Sequence, residues 1–180
     1  MITSSKINEQ NKHNKGGWLL ALGAVLLIFT ISQANIVKLV RVSGHSMDPT
    51  LQDGQIMMFT SLHTIQRNDI VVAHAPESWG MGEKNLIKRA VGLPGDRIKI
   101  TDKELYVNDK LVLRFDGYIG ENPVPTEFSL TKKSYFLLGD NHGNSYDSLM
   151  RYIQTVDSGS TDFTISEKDI IFGKTKVKRS

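Results

Sequence analysis

From Gly17 to Val37 the chain carries no charged side chain, and Trp18 to Ile31 is almost wholly apolar. Nothing else restricts the chain as strongly, because an uncharged apolar run of this length has to leave water. Wound as a helix at about 1.5 Å per residue it reaches about 30 Å, the thickness of one hydrocarbon core. Trp18 stands where a membrane interface favours indole, and Lys38 and Arg41 close the far end. A cleavable signal peptide is the competing reading, since Ser32-Gln33-Ala34 puts small residues at the two places a cleavage site requires. Lys6, Lys12 and Lys15 precede the run, so basic residues flank both ends and orientation stays open. With the run retained, the chain divides into a polar segment 1–16, a transmembrane helix 17–37 and a domain 38–180.

The part beyond the apolar run is long enough for one domain with its own core. The 180 residues are 39% hydrophobic and 23% charged, with a formal net charge of +3. Neither that charge nor any aromatic-and-basic stripe points to nucleic acid. Cysteine is absent, which removes a thiol nucleophile, a disulfide framework and any cysteine-ligated metal. The histidines at 13, 45, 63, 74 and 142 make no HxH or HExxH spacing, so no metal site and no cofactor is expected.

From about Val40 the pattern is β. Gln55 to Phe59 and Asp69 to Ala73 read as short buried strands, and Arg97-Ile98-Lys99-Ile100 alternates as a half-buried one. Leu105 to Val107, Asn108-Asp109 and Leu111 to Leu113 make a hairpin signal without the favoured glycine. Tyr135 to Leu138 and Asp169 to Gly173 are further strands, and turn clusters recur at Leu93 to Asp96 and Asn122 to Pro125. Few stretches hold a helical period. The predicted class is mostly β, a twisted antiparallel sheet domain after one N-terminal transmembrane helix. Gln154 to Ser166, rich in Ser, Thr and Asp, reads as a surface loop. Lys174 to Arg179 reads as a solvated strand edge, with anionic lipid as the alternative contact.

Three clusters carry chemistry. In Val42-Ser43-Gly44-His45-Ser46-Met47-Asp48-Pro49-Thr50-Leu51, Gly and Pro suit a loop that exposes Ser46 with its N–H toward a substrate carbonyl. A serine in such a loop is otherwise a turn residue. In Leu86-Ile87-Lys88-Arg89-Ala90-Val91 a lysine sits among apolar residues, either pointing to water or buried. With an ordinary pKa, about 0.04% of a lysine is neutral at pH 7. Desolvation worth about two units raises that to about 4%, and only the neutral amine can take a proton from a serine hydroxyl. The third cluster runs from Leu138 through Gly139-Asp140-Asn141-His142-Gly143-Asn144-Ser145-Tyr146-Asp147 to Ser148. It reads as a polar turn or as support for the dyad, with Ser145 bonded to the Lys88 amine and Asp147 paired with Arg89.

Taken in order, these clusters resemble the type I signal peptidases of the Gram-positive-like branch. A membrane segment is followed by Ser-Met-x-Pro-Thr-Leu, Arg-Asn-Asp-Ile-Val-Val, Lys-Arg-x-x-Gly-Leu-Pro-Gly-Asp, and Gly-Asp-Asn with Ser-x-Asp-Ser, across residues 17 to 175. The resemblance implies a serine endopeptidase that removes signal peptides from exported preproteins, cutting after small-x-small sites. It implies Ser46 as nucleophile, Lys88 as general base, Ser145 as the hydroxyl that positions the lysine and Asp147 as a structural acid. Met47, Leu51, Leu86 and Ile87 match the first substrate pocket, and Val42 borders the other. The resemblance further implies a retained anchor, residues 1–16 in the cytoplasm, and residues 38–180 on the outer side of the cell membrane. The partners implied are membrane lipid and preproteins emerging from the secretion machinery.

Three departures stand out. Gly44 occupies the place where some relatives have an oxyanion-donating serine, and His142 and Leu149 stand where the family usually has Arg. Arg89 or Arg151 then becomes the expected partner of Asp147, and Ser32-Gln33-Ala34 remains a candidate self-cleavage site. Two rivals remain. Self-cleaving Ser/Lys repressors carry an N-terminal DNA-binding domain where this chain has an apolar run. A non-catalytic surface chaperone or assembly factor on the same fold would be expected to have lost Ser46 or Lys88, and both are present.

Overall fold

The computed structural model describes residues 17–30, 37–61, 64–82, 84–101, 103–115, 126–155, 159–160 and 162–175. The chain divides into two units, residues 1–37 and 38–180. In the first, residues 17–30 form helix α1 with its side chains exposed, Leu20 and Ile28 among them. At 1.5 Å per residue α1 reaches about 21 Å. No helix among the described residues is long and apolar enough to cross a membrane. The expected span to Val37 is therefore not seen as one helix: Val37 opens a strand, and Ser32-Gln33-Ala34 and the polar segment 1–16 lie outside the described residues.

The strands begin with β1 (Val37–Arg41), whose residues from Lys38 on belong to the second unit, and continue with β2 (Ile56–Thr60), β3 (Ile70–His74), β4 (Asn85–Gly92), β5 (Arg97–Ile100) and β6 (Glu104–Val107). These are followed by β7 (Lys110–Arg114), β8 (Thr126–Ser129), β9 (Ser134–Leu138), helix α2 (Ser148–Thr155), β10 (Ile165–Ser166) and β11 (Ile170–Thr175). Seven strands form one sheet in the order β1-β2-β11-β3-β4-β9-β10, and four form another in the order β7-β6-β5-β8. Strands β2, β11, β3, β4, β9 and β10 pair antiparallel in succession.

Burial on both faces explains the unbroken apolar runs of β3 and β9. Ile70 and Val72 of β3 face a cluster with Val42, Met47, Leu51, Phe59 and Phe172. Val71 and Ala73 turn to the other face, with Leu86, Ala90, Tyr135 and Leu137. In β9, Phe136 and Leu138 join a third cluster with Ile98, Ile100, Leu105 and Val107 of the smaller sheet. Alternation at period two thus feeds two cores from one strand. Strand β5 shows the simpler alternation its sequence predicts, with Ile98 and Ile100 buried between exposed Arg97 and Lys99. The β6–β7 hairpin turns through Asn108 and Asp109, both at positive φ (50° and 63°). This is the backbone a two-residue hairpin turn needs, supplied by side chains that tolerate it without glycine.

The mostly antiparallel β architecture agrees with the sequence expectation, and three details differ. β1, β4 and β8 are strands that sequence patterning left unmarked, and Ser148–Thr155 is helical. Gln154 to Ser166 is not simply a surface loop. Phe163 and Ile165 are buried, and Ile165 pairs with Tyr135 of β9. Two isolated apolar residues in a polar stretch are too few to register as a period, yet they suffice to pin the segment onto the sheet. β11 ends at Thr175, so most of the basic tail expected at a sheet edge lies outside the described residues.

Candidate active site

Ser46 lies on the connection between β1 and β2. That connection is closed at its base, where the Val42 N–H donates to Gln55 (2.8 Å) and the Gly54 N–H to Val42 (2.9 Å). Gly44 has φ of 89°, a left-handed conformation that favours glycine, and its N–H donates to Asp53 Oδ1 (2.8 Å). A turn follows, with the Leu51 N–H on the Met47 carbonyl (3.0 Å). Met47 and Leu51 sink fully into the core while Ser46 stays half-buried at the surface. The residues after the serine thus act as plugs that hold it at the rim.

The segment after β9 clamps this connection from the other side. The Asn141 N–H donates to the Ser46 carbonyl (3.0 Å), and Asn141 Nδ2 donates to the His45 carbonyl (2.9 Å). Gly139 permits the approach. A Cβ there would lie 2.5 Å from the Ser46 carbonyl oxygen and 2.2 Å from Ser145 Oγ.

Lys88 comes from β4, where it pairs in register with Val71 of β3. Its side chain is 3% exposed, and Nζ donates to Ser46 Oγ at 2.7 Å. Burial lowers its pKa from 10.5 to about 8, and the charge of Asp147 works in the opposite direction. At a pKa near 8 about one amine in ten is neutral at pH 7. Neutral Lys88 can therefore accept the hydroxyl proton of Ser46. Among the described residues no group accepts the Ser46 N–H, which leaves it free to donate to an oxyanion.

Asp147 organises the ground beneath the lysine. Its Oδ2 accepts from the Ser145 hydroxyl (2.6 Å) and the Gly139 N–H (2.9 Å). Its Oδ1 accepts from the N–H groups of Leu149 (3.1 Å) and Met150 (3.2 Å), capping the start of α2. The expected contacts are redistributed. Ser145 gives its proton to Asp147, and the hydrogen bond of the Lys88 amine is to Ser46 rather than to Ser145.

Arg89 does not pair with Asp147. Its Nε and Nη2 hold Asp140 (2.8 and 2.5 Å), both of these side chains being buried, and Nη1 donates to the carbonyl of exposed Asn68 (2.8 Å). Strand alternation sends Arg89 to the face opposite Lys88, so it cannot reach the same carboxylate. Arg151 is engaged elsewhere, with Asp162 and the Ser78 carbonyl. Leu149 is buried in the core shared with the smaller sheet, so it makes an apolar contact and offers no partner to Asp147 beyond its N–H.

A groove of about 860 Å3 runs past Ser46 and Lys88. Val42, Met47, Leu86 and Ile87 line it. Leu51 does not. It is wholly buried beneath the serine turn, because the Met47–Leu51 hydrogen bond coils it inward. Sequence reasoning missed Met81, Asn144 and Tyr146 in the lining and Asn141 as a clamp. Asn141, Asn144 and Tyr146 were all visible as members of the third motif cluster. Met81 had no signal, since a turn between strands brings it in. No cluster of side chains suited to a metal ion occurs among the described residues.

Over residues 15–177 the chain matches the profile of a family described as signal peptidase, peptidase S26. It is 36% identical over 150 residues to signal peptidase I V of Bacillus subtilis, covering 73% of this chain and 86% of that one. A signal peptidase I of Streptococcus pneumoniae is 44% identical over 86 residues, a match spanning 48% of this chain and only 40% of the relative's length. A crystal structure of a signal peptidase I from Enterococcus faecalis is 22% identical with a TM-score of 0.43, covering 64% of this chain and 100% of that one.

Proposed function

The chain belongs to the signal peptidase family, peptidase S26, and from that membership we propose that it is a serine endopeptidase removing N-terminal signal peptides with a dyad of Ser46 and Lys88. The observation that carries the reading is the 2.7 Å hydrogen bond from a buried lysine, with its pKa lowered to about 8, to a serine hydroxyl at the rim of a groove.

The chemistry is acyl transfer. Neutral Lys88 takes the Ser46 proton as Oγ attacks the carbonyl at the end of the signal peptide. The Ser46 N–H donates to the oxyanion, and with Gly44 in place of a serine no side-chain donor comes from that position. Lys88 then protonates the leaving amine, which becomes the new N-terminus of the mature protein. A water deprotonated by the same lysine hydrolyses the acyl ester and frees the signal peptide. No metal or cofactor enters the cycle.

Val42, Met47, Leu86 and Ile87 beside Ser46 support pockets for small apolar side chains, hence cleavage after small-x-small sites. We further infer an N-terminal membrane anchor within 17–37, with the sheet domain on the outer side of the membrane and preproteins leaving the secretion machinery as substrates. Anchoring would raise the local concentration of these substrates.

The test is cleavage of a purified preprotein by the detergent-solubilised full chain, with products identified by intact mass. The expected result is one cut after a small-x-small site, absent in Ser46→Ala and Lys88→Ala. Folded protein that leaves several preproteins intact would overturn the reading and favour a non-catalytic assembly role.

A further inference from the structure

The groove holds charge that the dyad does not use. Arg41, at the end of β1, and Lys84, just before β4, both line it and are both exposed. Neither forms an ion pair or side-chain hydrogen bond among the described residues. His45 also lines the groove, but its Nδ1 is held by Asp48 at 3.0 Å. No carboxylate appears among the described lining residues. The groove therefore carries two exposed cations besides Lys88, one at the end of β1 and one just before β4, while Val42, Met47, Leu86 and Ile87 supply apolar lining.

Backbone geometry places Lys84 relative to the reacting atoms. The Lys84 carbonyl accepts from the Ala75 N–H at 2.8 Å, continuing the β3–β4 ladder beyond Asn85. Four residues of strand separate Lys84 from Lys88, about 13 Å. An extended polypeptide lying along β4 advances by the same rise, so about four of its residues bridge that distance. An even spacing also returns its side chain to the same face.

We propose that Arg41 and Lys84 form a cationic subsite that selects polypeptides with an acidic side chain about four residues from the bond being cut. The proposal rests on the peptidase reading and adds to it a charge rule distinct from the small-x-small requirement. A carboxylate on the substrate supplies a counter-charge absent among the described lining residues. A lysine at the same place meets two like charges. Exposed pairs of this kind are worth only a modest amount each, so two cations give a preference of about fivefold for Asp over Lys at low salt. The preference fades as salt shortens the screening length to about 8 Å and below.

The test scans one Asp, Asn or Lys through the third to sixth positions on each side of the cut in a single preprotein. Cleavage is followed with the full chain in detergent at low and high salt. The expected result is a lower KM for Asp than for Lys at one position near the fourth, with kcat unchanged by the substrate's charge. The Asp-to-Lys ratio should fall toward unity in R41Q/K84Q, invert in R41E/K84E, and shrink at high salt in the native protein. A merely structural role for the two residues would not invert a charge preference. Equal cutting of Asp and Lys substrates by the native protein overturns the proposal, as does a preference that survives R41E/K84E. Binding to anionic-lipid vesicles that needs Arg41 and Lys84, with no effect of substrate charge, overturns it in favour of a lipid-facing role. Failure to cut even the unsubstituted preprotein removes the peptidase reading itself, which separates that failure from this one.

Discussion

Replacing Lys88 by Met should make the protein more stable while abolishing cleavage. The amine is 3% exposed and its pKa falls from 10.5 to about 8 because burial opposes the charge. Each unit is worth about 1.4 kcal/mol, so protonated Lys88 costs the folded state about 3 kcal/mol. Below about pH 8 both folded and unfolded chains hold the proton, and the whole cost is present. Between pH 8 and 10.5 the unfolded chain holds it and the folded protein does not, so this group's contribution to stability rises with pH across that window. Methionine keeps the length and the apolar stem, and it forfeits the hydrogen bond to Ser46, about 1 kcal/mol. Asp147 retains its four donors, so no buried charge is left without partners. The net gain at pH 7 is about 2 kcal/mol, or about 5 °C in Tm for a chain of this size. The assay is thermal and urea unfolding of native and Lys88→Met chains in detergent from pH 6 to 11, read as the difference between them. The difference should be largest below pH 8 and vanish or reverse near 10.5. A variant no more stable at pH 7, or a difference that does not change across the window, would refute the claim that burial depresses this lysine.

Other substitutions probe the surroundings of the dyad. Asp147→Asn removes the charge that raises the Lys88 pKa, so the acid limb of kcat/KM against pH should move to lower pH. Gly139→Ala puts a Cβ 2.5 Å from the Ser46 carbonyl oxygen and 2.2 Å from Ser145 Oγ. It should cost about 2 kcal/mol in urea unfolding and reduce kcat more than tenfold. Asn141→Ala deletes the bond to the His45 carbonyl; an expected loss of about 1 kcal/mol in stability should come with a fall in kcat at little change in KM.

Residue pattern carries local chemistry well and long-range placement poorly. The alternation of Arg97 to Ile100 was legible because a half-buried strand follows period two, and the apolar runs of β3 and β9 because both faces of those strands are buried. The helix at Ser148–Thr155 was not, because its boundary rests on Asp147 capping two N–H groups, and an Asp in a polar cluster looks the same in a turn. Strand β8, bordered by residues outside the described set, was similarly hidden by its half-polar composition. In the candidate site, the residue types of the dyad and the spacing of its motifs were readable, while the partners of Arg89, Ser145 and Leu51 were not. Each of those depends on which face of a strand or turn a side chain leaves, and one residue of register reverses it.

By itself, then, the sequence determined which chemistry the chain can attempt: no thiol, a serine in a Gly- and Pro-containing loop, and a lysine set in apolar residues. Tertiary structure alone decided that residues 42 positions apart meet at 2.7 Å, because β4 must pair with β3 and β9 before Lys88 faces the β1–β2 connection. It also decided that Arg89 goes to Asp140 and that Asp147 gathers four hydrogen-bond donors. The physical reason is that a lysine's pKa and a serine's reactivity are set by solvent exclusion and neighbouring charge. Those are properties of the packed interior, and the order of residues along a strand does not contain them.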